Sequence, residues 1–347
     1  MVIYFLWGAL SLCWTTDFSN TLKGISITSP LIIIPFLISQ YPDFRADELK
    51  KTIKIFSLCL LAYLFLCSLN AGLLFLKDRH FSHFFYHDLV SVFDNNAIYI
   101  SLAVATCILF SFNEPTKKKE DYLIMMLLGI FLLMLASKNL IATTFLLMVV
   151  SLFKNKTTLK TGAIIASVLI GVVLLIMFSE NPIKARFLRE LNLNFDYVLS
   201  GQDFYDYKFS GLEVRIFQWR LLGEMMANHQ LGILGLGLHN VDYLLDQYFS
   251  YYNLYKGYFQ INFHNQFLQT FGEIGFIGLV LLLSIFIVAI YNAVKSGNQY
   301  KILLVILFLA SFFTESFLSR QKGVFLFATI YSLLLMHQKF CKEKADL

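Results

Sequence analysis

Ten apolar runs of 14 to 25 residues, nearly free of charge, constrain this chain more than any other feature. They are residues 1–14, 25–39, 52–76, 95–112, 122–136, 140–153, 161–178, 266–290, 302–317 and 323–336. Each exceeds the roughly 10 residues of a membrane barrel strand, and short of a closed barrel only a helix satisfies its own backbone in lipid. The expected fold class is therefore an all-α polytopic membrane protein of about ten transmembrane helices. Composition agrees, at 57% hydrophobic and 15% charged residues. The net charge of +5 is scattered between the runs and forms no patch, which excludes a nucleic-acid partner and leaves membrane lipids as the surroundings. Five cysteines lie in apolar runs or in the tail, with neither a disulfide framework nor metal-ligand spacing.

The first run has no basic leader region and no small-residue cleavage site, so it reads as a short span rather than a secretory signal, although a core of roughly 30 Å asks for nearer 20 residues. Fourteen Lys and Arg residues in short loops fall on one side of the expected topology and six on the other. By the positive-inside rule both termini are cytoplasmic. The long interruption from Ser179 to Phe263 is then outside, in the periplasm of a two-membrane cell, with the bacterial inner membrane as the location. This divides the chain into N-terminal spans (1–178), an outer segment (179–265) and C-terminal spans (266–347). The outer segment carries Arg186, Arg189, Arg215, Arg220 and nine tyrosines that could stack on sugars or simply sit at the interface. Its length implies a function or structure of its own.

Chemistry concentrates where the outer segment meets the next run, from His264 and Asn265 through Leu268, Gly272, Glu273 and Gly275 to Gly278. A histidine with an ordinary pKa near 6.5 can take a hydroxyl proton at neutral pH. Glu273, nine residues on, is turned half-way round a helix and about 13 Å deeper, so it is not the partner of His264 on that helix. It binds a neighbouring helix or makes a buried structural hydrogen bond. The glycines every three residues define a face for close helix packing. Upstream, Arg215 and Trp219 share one face at i and i+4, while Arg220 is rotated about 140° away. A guanidinium suits a diphosphate, because it pairs two oxygens and stays charged. Lys138, between two short apolar runs, belongs either to a tight hairpin or to one long helix, and it could equally snorkel to headgroups. His83 and His87, at i and i+4 in an aromatic-rich stretch, read as interfacial more readily than as metal ligands.

The ordered set of Arg215, the glycine-rich Leu231–Gly237, His264-Asn265, Leu268, Glu273 and Gly275-x-x-Gly278 resembles the O-antigen ligase and O-antigen polymerase superfamily. The resemblance is strongest from about Gly211 to Gly278. Lys138 stands after Ser137 where the family commonly carries Ser-Arg, which keeps the charge but loses the two-pronged fork. The resemblance implies an inverting glycosyltransferase that needs no metal or other cofactor. Its donor would be an undecaprenyl-diphosphate-linked oligosaccharide, and its acceptor a growing glycan for a polymerase or lipid A core for a ligase. It implies His264 as base and Arg215, with Lys138 and Arg220, as diphosphate ligands; Asn265, Glu273, Gly275, Gly278 and Trp219 would support the site. A membrane transporter or a flippase for lipid-linked glycans is the alternative, since either could use a positive cavity and an intramembrane glutamate; such proteins often carry internal repeats, and none is visible.

Overall fold

The computed structural model describes residues 1–40, 46–114, 116–154, 193–228 and 231–343. The expected span at 161–178, together with Arg186 and Arg189, lies outside the described residues. Among those described, regular structure is entirely helical. Three segments are long and apolar enough to cross a membrane: Phe18–Ser39, Asp47–Asp78 and Gln266–Lys295. Residues Tyr86–Phe93 and Ala97–Asn113, bent by 96°, make a fourth if taken as one broken span. The other helices of the expected ten fall short of that length or hydropathy among the described residues. The first run is one of these, since α1 (Val2–Leu10) continues only through a 3₁₀ turn to Cys13.

The chain forms two compact units. One gathers residues Asp43–Leu188 with Ala293–Ala310 and His337–Leu347. At its centre is α6 (Ala97–Asn113), buried along nearly its whole length. Ala97, Ser101, Ala103, Ala105 and Cys107 are small enough to let neighbours close in, as lipid-embedded helices require. Packed against it are α4 (Ala46–Asp78), α7 (Lys119–Met134) and α8 (Lys138–Lys154). Lys50–Glu114 and Lys54–Glu120 ion pairs, at 2.9 and 3.0 Å, join α4 to the residues around the start of α7. Between α7 and α8 the backbone turns at Leu135–Ser137, with Ala136 at a φ of 48°, so the two runs are separate helices and not one long helix. His83 pairs with Asp78 at 2.6 Å, whereas His87, in the short α5 (Tyr86–Val90), accepts the Ala97 N–H. The two imidazoles thus have separate partners.

The other unit gathers Met1–Pro42, Arg189–Asn292 and Ser311–Met336. Its Phe18–Ser39 span joins α2 (Phe18–Thr28) to α3 (Pro30–Ser39). Pro30 has no N–H for the Ser26 carbonyl, and the Ser29 hydroxyl donates to that oxygen instead. Residues 195–251 supply α9 (Phe195–Ser200), α10 (Gly211–Ala227) and α11 (Val241–Tyr251). These helices enclose an aromatic core of their own built on Phe204, Phe217, Phe249, Tyr252 and Phe263, with Phe204 edge-on to Phe217 at 4.9 Å. The described part of the long interruption, from residue 193, is thus a folded module rather than an irregular loop. α10 starts in a capping box, in which the Ser210 hydroxyl accepts from Glu213 N–H and the Glu213 carboxylate accepts from Ser210 N–H. After the module follow α12 (Gln266–Lys295), α13 (Gln299–Thr314) and α14 (Gln321–Glu343).

Candidate functional site

The entry to α12 is set by its side chains. Asn265 is the cap, its Oδ1 accepting the N–H groups of Phe267 and Leu268 at 3.0 and 3.2 Å. The preceding His264 has a φ of 46°, an uncommon conformation for a residue with a Cβ. It is held there by Asn262, whose Oδ1 accepts the His264 N–H at 3.0 Å and whose carbonyl takes the Gln218 amide at 2.8 Å. Strain of this kind persists only where the surroundings over-determine it.

So presented, the imidazole places Nδ1 3.3 Å from the Glu315 carboxylate, in the turn after α13. The His264 side chain is about one-third exposed, whereas Glu315 is buried. From α10, Arg215 reaches the same turn and donates from Nη2 to the Thr314 carbonyl at 3.3 Å. Thr314 and Glu315 are consecutive, so the guanidinium and the imidazole are anchored one residue apart, about 3.8 Å along the backbone. Trp219, one turn beyond Arg215, stands edge-on to Phe313 at 5.5 Å, beside that turn. Gln266 ties the turn to α12, its Oε1 accepting the Leu318 N–H at 2.6 Å.

Deeper along α12 the three glycines do not act alike, and the packing stripe expected of them is interrupted at Gly275. The span is broken at Ile274 and Gly275, where Gly275 has a φ of 71° and a ψ of −169°. The glycine-rich stretch 231–237 is fitted into the break. Leu236 and Gly237 donate to the carbonyls of Gly272 and Glu273 at 3.1 and 2.7 Å, and Phe276 donates to Gly232 at 3.2 Å. From α1, Trp7 donates its indole N–H to the Ile274 carbonyl at 2.9 Å, and Trp14 donates to Leu234 at 3.1 Å. Irregular backbone at membrane depth needs such partners. The short N-terminal helix therefore helps close the break. Gly272 approaches Val241 of α11, while a Cβ on Gly278 would meet Ile274 of its own helix.

Glu273 is buried beside the break and accepts from the Gln269 amide one turn earlier at 2.9 Å; the same amide donates to Asp242 at 2.8 Å. Burial pushes the Asp242 carboxyl up to about 6. Nearby His239 is held down to about 4, first by burial and then by the charges of Lys23 and Arg320, and is neutral at pH 7.

The expected site residues therefore divide. Arg215, Trp219, His264 and Asn265 gather at the 314–315 turn, and Glu273 and Gly275 mark the break below it. Arg220 is engaged inside the module, with bonds to Glu224, Val198, Gly201 and Tyr252 and its guanidinium over the Tyr252 ring. Lys138 opens α8 in the other unit. Glu315 and Gln266 were not foreseen from the sequence, although Glu315 had a signal: a carboxylate at the end of an apolar run is costly unless it has a use.

A helical membrane protein with a folded module feeding an Arg/His turn is the class that these features define. Residues 123–283 match the family model described as O-Antigen ligase (Wzy_C). The match supports a likeness to the O-antigen ligase superfamily over this part of the chain and agrees with the resemblance read from the sequence. The curated proteins contain no match to the chain.

Proposed function

We propose that this protein is a glycan transferase of the ligase/polymerase type, moving an undecaprenyl-diphosphate-linked saccharide to an acceptor hydroxyl at the outer face of the bacterial inner membrane. The observation that carries this reading is the convergence of Arg215 and His264 on consecutive residues, Thr314 and Glu315. In the reaction, the acceptor oxygen attacks the anomeric carbon and the bond from that carbon to the diphosphate oxygen breaks. The bonding pair leaves with the lipid diphosphate, and the hydroxyl proton passes to Nε2 of His264. Direct displacement inverts the anomeric centre. Arg215 binds the leaving diphosphate, and its fixed charge stabilises what develops there with no metal required. Arg220, already engaged with protein groups, acts through the shape of the module.

The family match supports the reaction type, and the half-buried Arg215 guanidinium beside the turn supports the donor class. The broken span is the feature that favours a transporter, since broken helices form transport sites. Here the break is filled by residues 231–237 and Trp7, which favours a structural role for it. The test is to express His264→Ala and Arg215→Ala in cells that depend on the protein. Both are expected to accumulate the lipid-linked donor at wild-type protein levels. Normal glycan transfer by folded His264→Ala would exclude this mechanism.

A further inference from the structure

We infer that Glu315 is a positioning residue that holds His264 in the tautomer and orientation a general base needs. This rests on the proposed role of His264 and goes beyond it, because Glu315 lies outside the residues that the family model matches. Among the described residues, the carboxylate of Glu315 is buried and its hydrogen-bonding side-chain partner is His264 Nδ1. A buried carboxylate is costly to keep unless it is paired. The turn that carries it is fixed independently, by Gln266 on Leu318 N–H and by Arg215 on the Thr314 carbonyl. Glu315 is therefore held at its place rather than having drifted to the nearest cation.

A carboxylate accepts and does not donate, so its contact with Nδ1 selects the imidazole with its proton on Nδ1 and leaves the Nε2 lone pair for the acceptor hydroxyl. As the imidazolium forms, the anion beside it stabilises the new charge. This is the logic by which a third group orients a base. Two further charged groups face this region: Asp242 on α11, which interacts electrostatically with the imidazole, and Arg215 on α10, anchored on the adjacent Thr314 carbonyl.

The test uses the full-length protein with its lipid-linked donor. Glu315→Gln keeps the shape and loses the charge, and it is expected to lower kcat about 10²-fold with little change in donor KM. The acidic limb of its rate profile is expected to move to lower pH, because the imidazolium loses its stabilising anion; measuring the shift in an Asp242→Asn background separates it from Asp242 titration. Glu315→Asp should restore part of kcat. A merely structural carboxylate would lower the folded fraction and leave the limb in place. Without relying on the activity of any variant, ¹⁵N-histidine spectra of the wild-type protein, with His264 assigned by its loss in folded His264→Gln, should show a neutral imidazole protonated at Nδ1. The Nε2-protonated tautomer, or an unmoved pH limb in folded Glu315→Gln, would overturn the inference. If instead His264→Ala retains turnover, it is the parent mechanism that fails.

Discussion

Gly275→Ala isolates the broken span. At a φ of 71° and a ψ of −169° the position is in a region that only glycine occupies readily, and an alanine there stores about 1–3 kcal/mol of strain. Its Cβ would also run into the carbonyl oxygen of Ile233, which is backbone and cannot swing aside. Residues 231–237 must then retreat, loosening at least the Phe276–Gly232 and Gly237–Glu273 hydrogen bonds, at about 0.5–1.5 kcal/mol each. The sum is roughly 2–6 kcal/mol, before any cost of leaving those groups unpaired in lipid. Against a typical stability of about 5–15 kcal/mol, that is a large fraction. Thermal unfolding of the detergent-purified protein reads it out, with Gly72→Ala as the control. Gly72 lies inside α4 with no atom near its would-be Cβ, so alanine should be neutral or mildly stabilising there. If Gly275→Ala melted within a degree or two of both wild type and Gly72→Ala, the break and the loop fitted into it would be wrong.

Three further outcomes follow from the same geometry. Trp7→Phe removes the donor to the Ile274 carbonyl and should cost about 1 kcal/mol, read as a lower Tm; an unchanged Tm would mean that α1 does not serve the break. Asp242 has a native pKa raised by burial to about 6, so the native state binds its proton more tightly than the unfolded chain. The stabilisation is complete below pH 4 and is lost as pH rises through 6, and Asp242→Asn should remove on the order of 2 kcal/mol of that pH dependence between pH 4 and 7 in denaturant titrations. Arg215→Lys keeps charge but loses the fork, and should lower kcat/KM for the lipid-linked donor about 10–100-fold without moving the pH profile; full activity would argue against diphosphate pairing at this residue.

Much of this was legible from the sequence, for physical reasons that differ from residue to residue. Period and length expose helices, so α4, α6, α12 and α13 fall close to their apolar runs. Asn265 beside His264 has the form of a helix cap, and it caps α12. Spacing misled at the glycines, because a three-residue repeat fits both a packing stripe and a broken helix, and only the loop that returns from Leu231 tells them apart. The partner of Glu273 was equally hidden: Gln269 lies one turn away on the same helix, where two carboxylates share one amide. Glu315 was missed for the opposite reason. It sits 51 residues from His264 in the chain, and no local pattern joins residues so far apart. For Lys138 the sequence left two alternatives open, and the left-handed Ala136 decides between them.

Reconstitution of the purified protein with an undecaprenyl-diphosphate oligosaccharide, with and without lipid A core and beside folded His264→Ala, tests the central claim most directly. Products are resolved by gel and mass. The account predicts that the wild type consumes the donor and His264→Ala does not. Longer glycans on the carrier without core would assign a polymerase, and transfer only onto core a ligase. Flux of intact donor across the bilayer with no new glycosidic bond, or equal product from both proteins, would contradict it.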